Sequence, residues 1–160
     1  MRNLQETRLD KVELVQQFNL SPESLIPKAL AELWSQPIFK ANITYDTDRQ
    51  KWVKKGGKDW QIPKEDKSAL SAPAYGILLG YGIVVLDIDN HDGVDGKSNY
   101  EAWLETNGES HVVTFAVATP SGGTHYYYRT RKPLDRITVP SMGIDLIAGK
   151  GKFIVGALSK

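Results

Sequence analysis

The stretch Gly82-Ile83-Val84-Val85-Leu86-Asp87-Ile88-Asp89 constrains this chain more than any other. Its β-branched and aliphatic residues predict a buried strand, and it ends in two carboxylates one residue apart. Side chains alternate faces along a strand, so Asp87 and Asp89 point one way while Leu86 and Ile88 point into the core. Like charges on neighbouring same-face positions repel. Both stay ionised at neutral pH only where a cation lies between them or water screens them fully. At the end of an apolar strand the cation is the better account; two acids at the mouth of a surface loop are the alternative. Hard oxygen ligands, in a chain without cysteine or a ligand-spaced pair of histidines, favour magnesium or manganese over zinc.

The 160 residues suffice for one domain with one core. The absence of cysteine excludes disulfides and thiolate metal sites. No apolar run approaches the roughly 20 residues that cross a bilayer. The first residues, Met1-Arg2-Asn3-Leu4-Gln5-Glu6, lack the apolar core of a signal peptide, so a cytoplasmic protein is the expectation. A net charge of +1 does not announce a nucleic-acid binder, but the charges are segregated. Between Gly82 and Pro120, Asp87, Asp89, Asp92, Asp95, Glu101, Glu105 and Glu109 face only Lys97. From Arg129 onward the balance is basic, as it is between Lys51 and Lys67. An acidic centre between basic segments suits a metal site that handles an anionic substrate.

Residues 1–20 read as an N-terminal helical segment loosely attached to a domain over residues 21–160, with an amphipathic run from Leu9 to Phe18. Ser21-Pro22 marks a helix start, and Leu25, Ile26, Leu30 and Leu33 recur at helical spacing up to Trp34, with a possible restart at Pro27. Pro37 to Tyr45 is extended. Asp46 to Ser71 reads as a long loop or weak hairpin, in which Lys54-Lys55-Gly56-Gly57-Lys58 lies between Trp52 and Trp60. That combination could hold a phosphate and a base, although a solvated basic turn is the commoner meaning. Tyr75 to Leu79 is a strand leading into the turn Gly80-Tyr81-Gly82.

After Asp89, the run Asn90 to Gly96 invites comparison with a calcium loop, but Asp92 occupies the position that requires glycine. A helix is expected from Ser98 to Thr106, with Tyr100, Trp103 and Leu104 on one face and Gly108 as its C-cap. Val112 to Ala118 and Thr124 to Arg129 form a hairpin around Thr119-Pro120-Ser121-Gly122-Gly123. His125, Tyr127 and Arg129 then share a face, and Gly122-Gly123 lets backbone amides approach an anion. A lone histidine on a strand is usually structural; one that follows this turn is better placed to meet a polyphosphate. Gly143 to Lys150 contains a third strand with Asp145 among aliphatic residues. A buried lone carboxylate is costly unless paired or metal-bound, which makes Asp145 a natural third ligand beside Asp87 and Asp89. Phe153 to Leu158 is a last apolar strand.

Three elements now stand in order: Val84-Val85-Leu86-Asp87-Ile88-Asp89, Thr119-Pro120-Ser121-Gly122-Gly123-Thr124-His125, and Gly143-Ile144-Asp145. Together they resemble the N-terminal domain of bifunctional DNA primase/polymerases (prim-pol) in the archaeo-eukaryotic primase superfamily. Its motifs are a hydrophobic strand ending in Asp-x-Asp or Asp-x-Glu, a Ser-Gly-Gly-x-His type turn and a hydrophobic-Asp strand. The resemblance covers about Trp34 to Ser159 and rests on the order and spacing of the three. It implies an α+β fold, a mixed β-sheet with an RNA-recognition-like catalytic core flanked by helices.

By the same resemblance Asp87, Asp89 and Asp145 hold divalent ions, Mg2+ or Mn2+, in a two-metal site. His125, with Ser121, Gly122 and Gly123, binds the triphosphate of the incoming nucleotide. Arg129 and Lys150 are added as phosphate neutralisers from strand-face and position arguments, and Lys58 as a third. The family often carries Gly-Lys-x-Pro in that last region, whereas here Lys58 precedes Asp59-Trp60. The implied partners are nucleoside triphosphates and a single-stranded DNA template with its primer, with no membrane. Members typically come from plasmids, phages or mobile elements, often with a fused helicase domain. The family domain usually continues past the last apolar strand, so the chain reads as shortened at its C-terminus.

The expected function is therefore template-directed nucleotidyl transfer, as primase, polymerase or both. A replication-protein fragment that binds nucleotide or DNA without turnover is the alternative. A metal-dependent nuclease is a third reading, disfavoured by the Ser-Gly-Gly-x-His turn and by the lack of an obvious general-base lysine near Asp87 and Asp89.

Overall fold

Leu30, Leu33 and Trp34 lie on one side of a helix and are all buried in the computed structural model, which describes residues 25–56, 60–63 and 66–159. The expected segment 1–20 and the cap at Ser21 lie outside the described residues. The helix α1 (Leu25–Trp34) runs through Pro27 without a restart. Pro27 sits in the first described turn, where a missing amide costs little. Among the described residues no helix is long and apolar enough to cross a membrane.

The chain divides into two compact units, Met1–Ile77 with Val155–Lys160, and Leu78–Ile154. In the first, β1 (Ile38–Asp46) and β2 (Lys51–Gly56) form an antiparallel hairpin closed at Asp46 and Lys51. The hairpin is well formed because Asp46 Oδ1 accepts the amides of Asp48 (3.1 Å) and Arg49 (3.0 Å), fixing the turn. A 3-10 turn (Lys67–Ser71) leads to β3 (Ala74–Leu78), which pairs antiparallel with β1, and β11 (Phe153–Val155) completes a sheet in the order β11-β3-β1-β2. Tyr75 on β3 is fully buried, and its hydroxyl accepts the Trp34 indole N–H at 2.8 Å. Burial pushes the Tyr75 hydroxyl up to about 12, and the Trp34 hydrogen bond partly opposes that rise.

The second unit is built on β4 (Ile83–Ile88), whose Ile83, Val84, Val85 and Ile88 are buried. Two positive-φ glycines, Gly80 (94°) and Gly82 (93°), form the turn that feeds it. It is the middle strand of a five-stranded sheet in the order β7-β8-β4-β10-β9, with β7 (Ala116–Ala118), β8 (Thr124–Arg129), β9 (Ile137–Val139) and β10 (Ile144–Ile147). All four pairings are antiparallel, so the mixed sheet implied by the resemblance is here an antiparallel one.

A two-stranded ribbon, β5 (Asn90–His91) and β6 (Val94–Asp95), turns at Asp92-Gly93, both with positive φ, and delivers Asp95 to the start of α2 (Gly96–Asn107). Asp95 accepts the Ser98 amide at 3.0 Å, so the helix begins two residues before Ser98; Gly108 caps it in the left-handed conformation as expected. Trp103 faces solvent, and the half-buried residues are Asn99, Tyr100 and Leu104, the last two one helical turn apart. The expected strand from Val112 is shorter, since Val113 is 92% exposed. There the Thr114 hydroxyl, rather than a backbone amide, takes the Tyr127 carbonyl, and the ladder ends. The last strand likewise stops at Val155 instead of Leu158.

Candidate active site on the central sheet

Register places the chemistry. On β4, Asp87 stands directly opposite His125 of β8 on one side and directly opposite Asp145 of β10 on the other. Asp145 in turn stands opposite Thr138 of β9. Directly opposed residues in a ladder share a face, with Cβ atoms about 4.5–5.5 Å apart. His125, Asp87, Asp145 and Thr138 therefore form one polar row across four strands, with the buried pair Val85 and Ile147 beside it on the same face and Ile88 buried on the other. The whole row lies within the second unit.

His125 Nε2 lies 3.3 Å from Asp87 Oδ1, and each side chain is 13% exposed. The approach is close enough for an ion pair but is not aligned as a hydrogen bond. Asp87 Oδ1 is thus buried with no hydrogen-bond donor among the described residues. Asp145, 17% exposed, is treated differently. The Arg136 guanidinium grips both of its oxygens, with Nε donating to Oδ1 at 3.0 Å and an Nη to Oδ2, and Thr138 Oγ1 donates to Oδ1 at 3.1 Å. These bonds hold the Arg136 pKa above its ordinary value, with further help from the nearby charges of Asp145 and Asp87.

Asp89 lies one residue beyond β4 and is fixed through its backbone. Its amide donates to the Gly143 carbonyl at 2.8 Å, and its carbonyl accepts the Gly96 amide at 3.1 Å. A Cβ on Gly96 or on Gly143 would run into the Asp89 carbonyl oxygen, and Gly143 also has a φ of +67°. Two glycines far apart in sequence thus let three backbone segments meet at Asp89.

The turn before His125 is closed on itself. The Gly122 amide donates to the Thr119 carbonyl and the Gly123 amide to Thr119 Oγ1, both at 3.0 Å. Both glycine amides are therefore used inside the turn, and what it turns toward solvent is the exposed Ser121, whose hydroxyl lies 3.1 Å from Thr119 Oγ1. Asn90 ties the turn to α2: its Nδ2 donates to the Gly122 carbonyl and its Oδ1 accepts the Lys97 amide, each at 3.3 Å.

Of the expected site residues, the structure brings Asp87, His125 and Asp145 into one row, with Asp89 and the Ser121-Gly122-Gly123 turn at its end of β4. Arg129 does not join them. It pairs with Ile83, four residues along β4 from Asp87, or about 13 Å at the rise of a strand. Lys150 lies past the end of β10, its backbone against Gly80 at the start of β4. Lys58 lies outside the described residues. Sequence reasoning missed Arg136, Thr138, Gly96, Gly143 and Asn90. Only Arg136-Ile137-Thr138 carried a readable signal, since alternation puts both polar residues on one face just before the Asp145 strand.

Among the described residues no three His, Cys, Asp or Glu side chains are gathered as a ready metal cluster. The oxygen donors present nevertheless fit a hard divalent cation. Asp87 Oδ1 is a buried acceptor without a donor, directly across the ladder from a second carboxylate.

A family model for the N-terminal domain of bifunctional DNA primase/polymerases matches residues 23–160. The comparison with curated proteins and that with solved structures gave no match.

Proposed function

The chain belongs to the Prim-Pol family, bifunctional DNA primase/polymerase N-terminal domains, and from that premise we propose that it catalyses template-directed nucleotidyl transfer on the row His125–Asp87–Asp145. The reaction joins a primer 3′ oxygen to the α-phosphorus of an incoming nucleoside triphosphate and releases pyrophosphate. The observation that carries the reading is the register of the row: the carboxylates of two motifs and the histidine of the third share one face within one ladder.

Asp87, Asp89 and Asp145 are the residues that would hold Mg2+ or Mn2+. A bound pair of such ions supplies charge neutralisation at the attacking and leaving oxygens. The chain's own contribution is positioning. The Asp89 backbone is held by the Gly96 amide and the Gly143 carbonyl, which fixes where the chain leaves β4. His125 and the Ser121 hydroxyl donate to the triphosphate from the same end of the sheet. His125 Nε2 faces Asp87 Oδ1 at 3.3 Å without a hydrogen bond between them, a charge contact that keeps the imidazole directed across the row. In this reading the domain is an RNA-recognition-like core acting on a single-stranded template and its primer, in the replication of a plasmid, phage or mobile element, with a helicase fused or associated.

The test is primer extension on a primed template with magnesium or manganese, comparing wild type with Asp87→Ala/Asp89→Ala. Extension by wild type alone is expected. Extension that persists in the double variant would refute the assignment. The second reading, nucleotide or DNA binding without turnover, draws on the Arg136 fork that engages both oxygens of Asp145. It predicts metal-dependent nucleotide binding without extension.

A further inference from the structure

We propose that Arg136 is an exchangeable counter-ion: it neutralises Asp145 until a divalent cation arrives, and its displaced guanidinium then binds the triphosphate that accompanies the cation. The inference rests on the nucleotidyl-transfer reading above and extends it to a residue outside the three motifs.

Asp145 and Asp87 oppose each other directly and are both largely buried, an arrangement that is unfavourable for two bare carboxylates. The Arg136 fork removes half of that problem. It spends two of the five N–H donors of a guanidinium on Asp145, and Thr138 shares Oδ1. The other half is left in place, because Asp87 Oδ1 still lacks a donor. The row is therefore balanced at Asp145 and short of positive charge at Asp87.

A divalent ion that ligates both carboxylates finds three of the roughly four lone-pair sites of Asp145 taken by Arg136 and Thr138, and it meets a second cation on the same two oxygens. Metal and guanidinium compete for the same atoms, so each weakens the other's hold. Arg136 can leave cheaply. It is 47% exposed and precedes β9 in an irregular segment. Once displaced it needs an anion, and a phosphate takes the same planar fork that a carboxylate does. Free metal then binds weakly because it must evict a cation into water, whereas metal delivered with a nucleoside triphosphate gives that cation a new partner. The same residue both disfavours metal alone and favours metal with substrate.

A merely structural Arg136 predicts the opposite sign, since an untethered Asp145 would bind metal less well. The test follows free Mn2+ by electron paramagnetic resonance, with the full chain as wild type, Arg136→Gln, Arg136→Lys and Asp87→Asn, each with and without a nucleoside triphosphate. Circular dichroism checks the fold of each. Arg136→Gln is expected to bind Mn2+ alone about tenfold more tightly than wild type, and to lose about tenfold of the tightening that nucleotide brings. Arg136→Lys keeps the charge without the fork; it is expected to bind Mn2+ alone as wild type does and to lose part of the nucleotide effect. Equal or weaker Mn2+ binding by a folded Arg136→Gln, with wild-type binding abolished in Asp87→Asn, overturns the exchange and leaves the metal site standing. Should Arg136→Gln not fold, a nucleotide effect in Arg136→Lys as large as in wild type overturns it. No Mn2+ binding by wild type, with or without nucleotide, overturns the nucleotidyl-transfer reading and this inference with it.

Discussion

His125 Nε2 lies 3.3 Å from Asp87 Oδ1, yet that oxygen is buried without a hydrogen bond among the described residues, and Asp145 stands directly across the ladder on its other side. Asp87 is thus a buried carboxylate with an unfilled acceptor position beside a second carboxylate. Such positions trade stability for function. Asp87→Asn is expected to abolish primer extension while raising stability by about 1 kcal/mol, a rise in Tm of a few degrees for a chain of this size. Thermal melts without metal, set beside extension assays, check it. A variant that is both inactive and less stable would show that the ion pair with His125 outweighs the repulsion from Asp145.

His125→Ala tests the other member of the pair. A hydrogen bond to a charged phosphate contributes about 1.5–3 kcal/mol, so the nucleotide KM is expected to rise roughly 10- to 100-fold. A fall in kcat at unchanged KM would instead place His125 at the reacting bond rather than on the triphosphate.

Gly96 and Gly143 separate two causes of strain at the same place. Each leaves no room for a Cβ beside the Asp89 carbonyl, but only Gly143 has a positive φ. Gly96→Ala therefore reports the steric clash alone, and Gly143→Ala the clash together with the backbone strain. The expected losses are about 1–3 kcal/mol for Gly96→Ala and more for Gly143→Ala, measured by denaturant unfolding. Both should lower extension beyond what their unfolded fraction explains, because the displaced group is the backbone of Asp89.

The contrast between Arg129 and Arg136 shows what was legible in the sequence. Alternation along Thr124–Arg129 correctly puts His125 and Arg129 on the same face, but a face is not a position along the strand, and that position is set by pairing with β4. Asp87, His125 and Asp145 were readable because each sits in a β-branched or turn-bounded strand of unmistakable period. Arg136 showed only the weak signal of its alternation with Thr138, because it precedes a strand of just three residues. Gly96 and Gly143 were hidden because a close approach of backbones is a tertiary fact with no local pattern. Arg129→Gln is accordingly expected to change the nucleotide KM by less than about twofold, whereas loss of one charged hydrogen bond in Arg136→Gln costs about tenfold. Steady-state kinetics of the two variants side by side decides it.

In the first unit, the Trp34–Tyr75 hydrogen bond carries a prediction at high pH. Burial is the main cause that pushes the Tyr75 hydroxyl up to about 12, against an ordinary value of 10.0, so the fold favours the protonated phenol. A folded pKa above the unfolded one contributes stability that is fully present below pH 10 and is lost as pH rises through about 12. Two units correspond to about 2.7 kcal/mol, which the Tyr75→Phe variant should not lose over that interval. The comparison with Tyr75→Phe is needed because lysines titrate in the same window. At neutral pH Tyr75→Phe is itself expected to cost about 1–3 kcal/mol, since the Trp34 N–H is left buried without its acceptor. Trp34→Phe works the other way on the titration. Its indole N–H stabilises the phenolate, so removing it should move the Tyr75 transition to still higher pH, as read by phenolate absorbance. A downward move would mean that the variant has opened the core around Tyr75 to water, and that packing by the Trp34 ring outweighs its hydrogen bond.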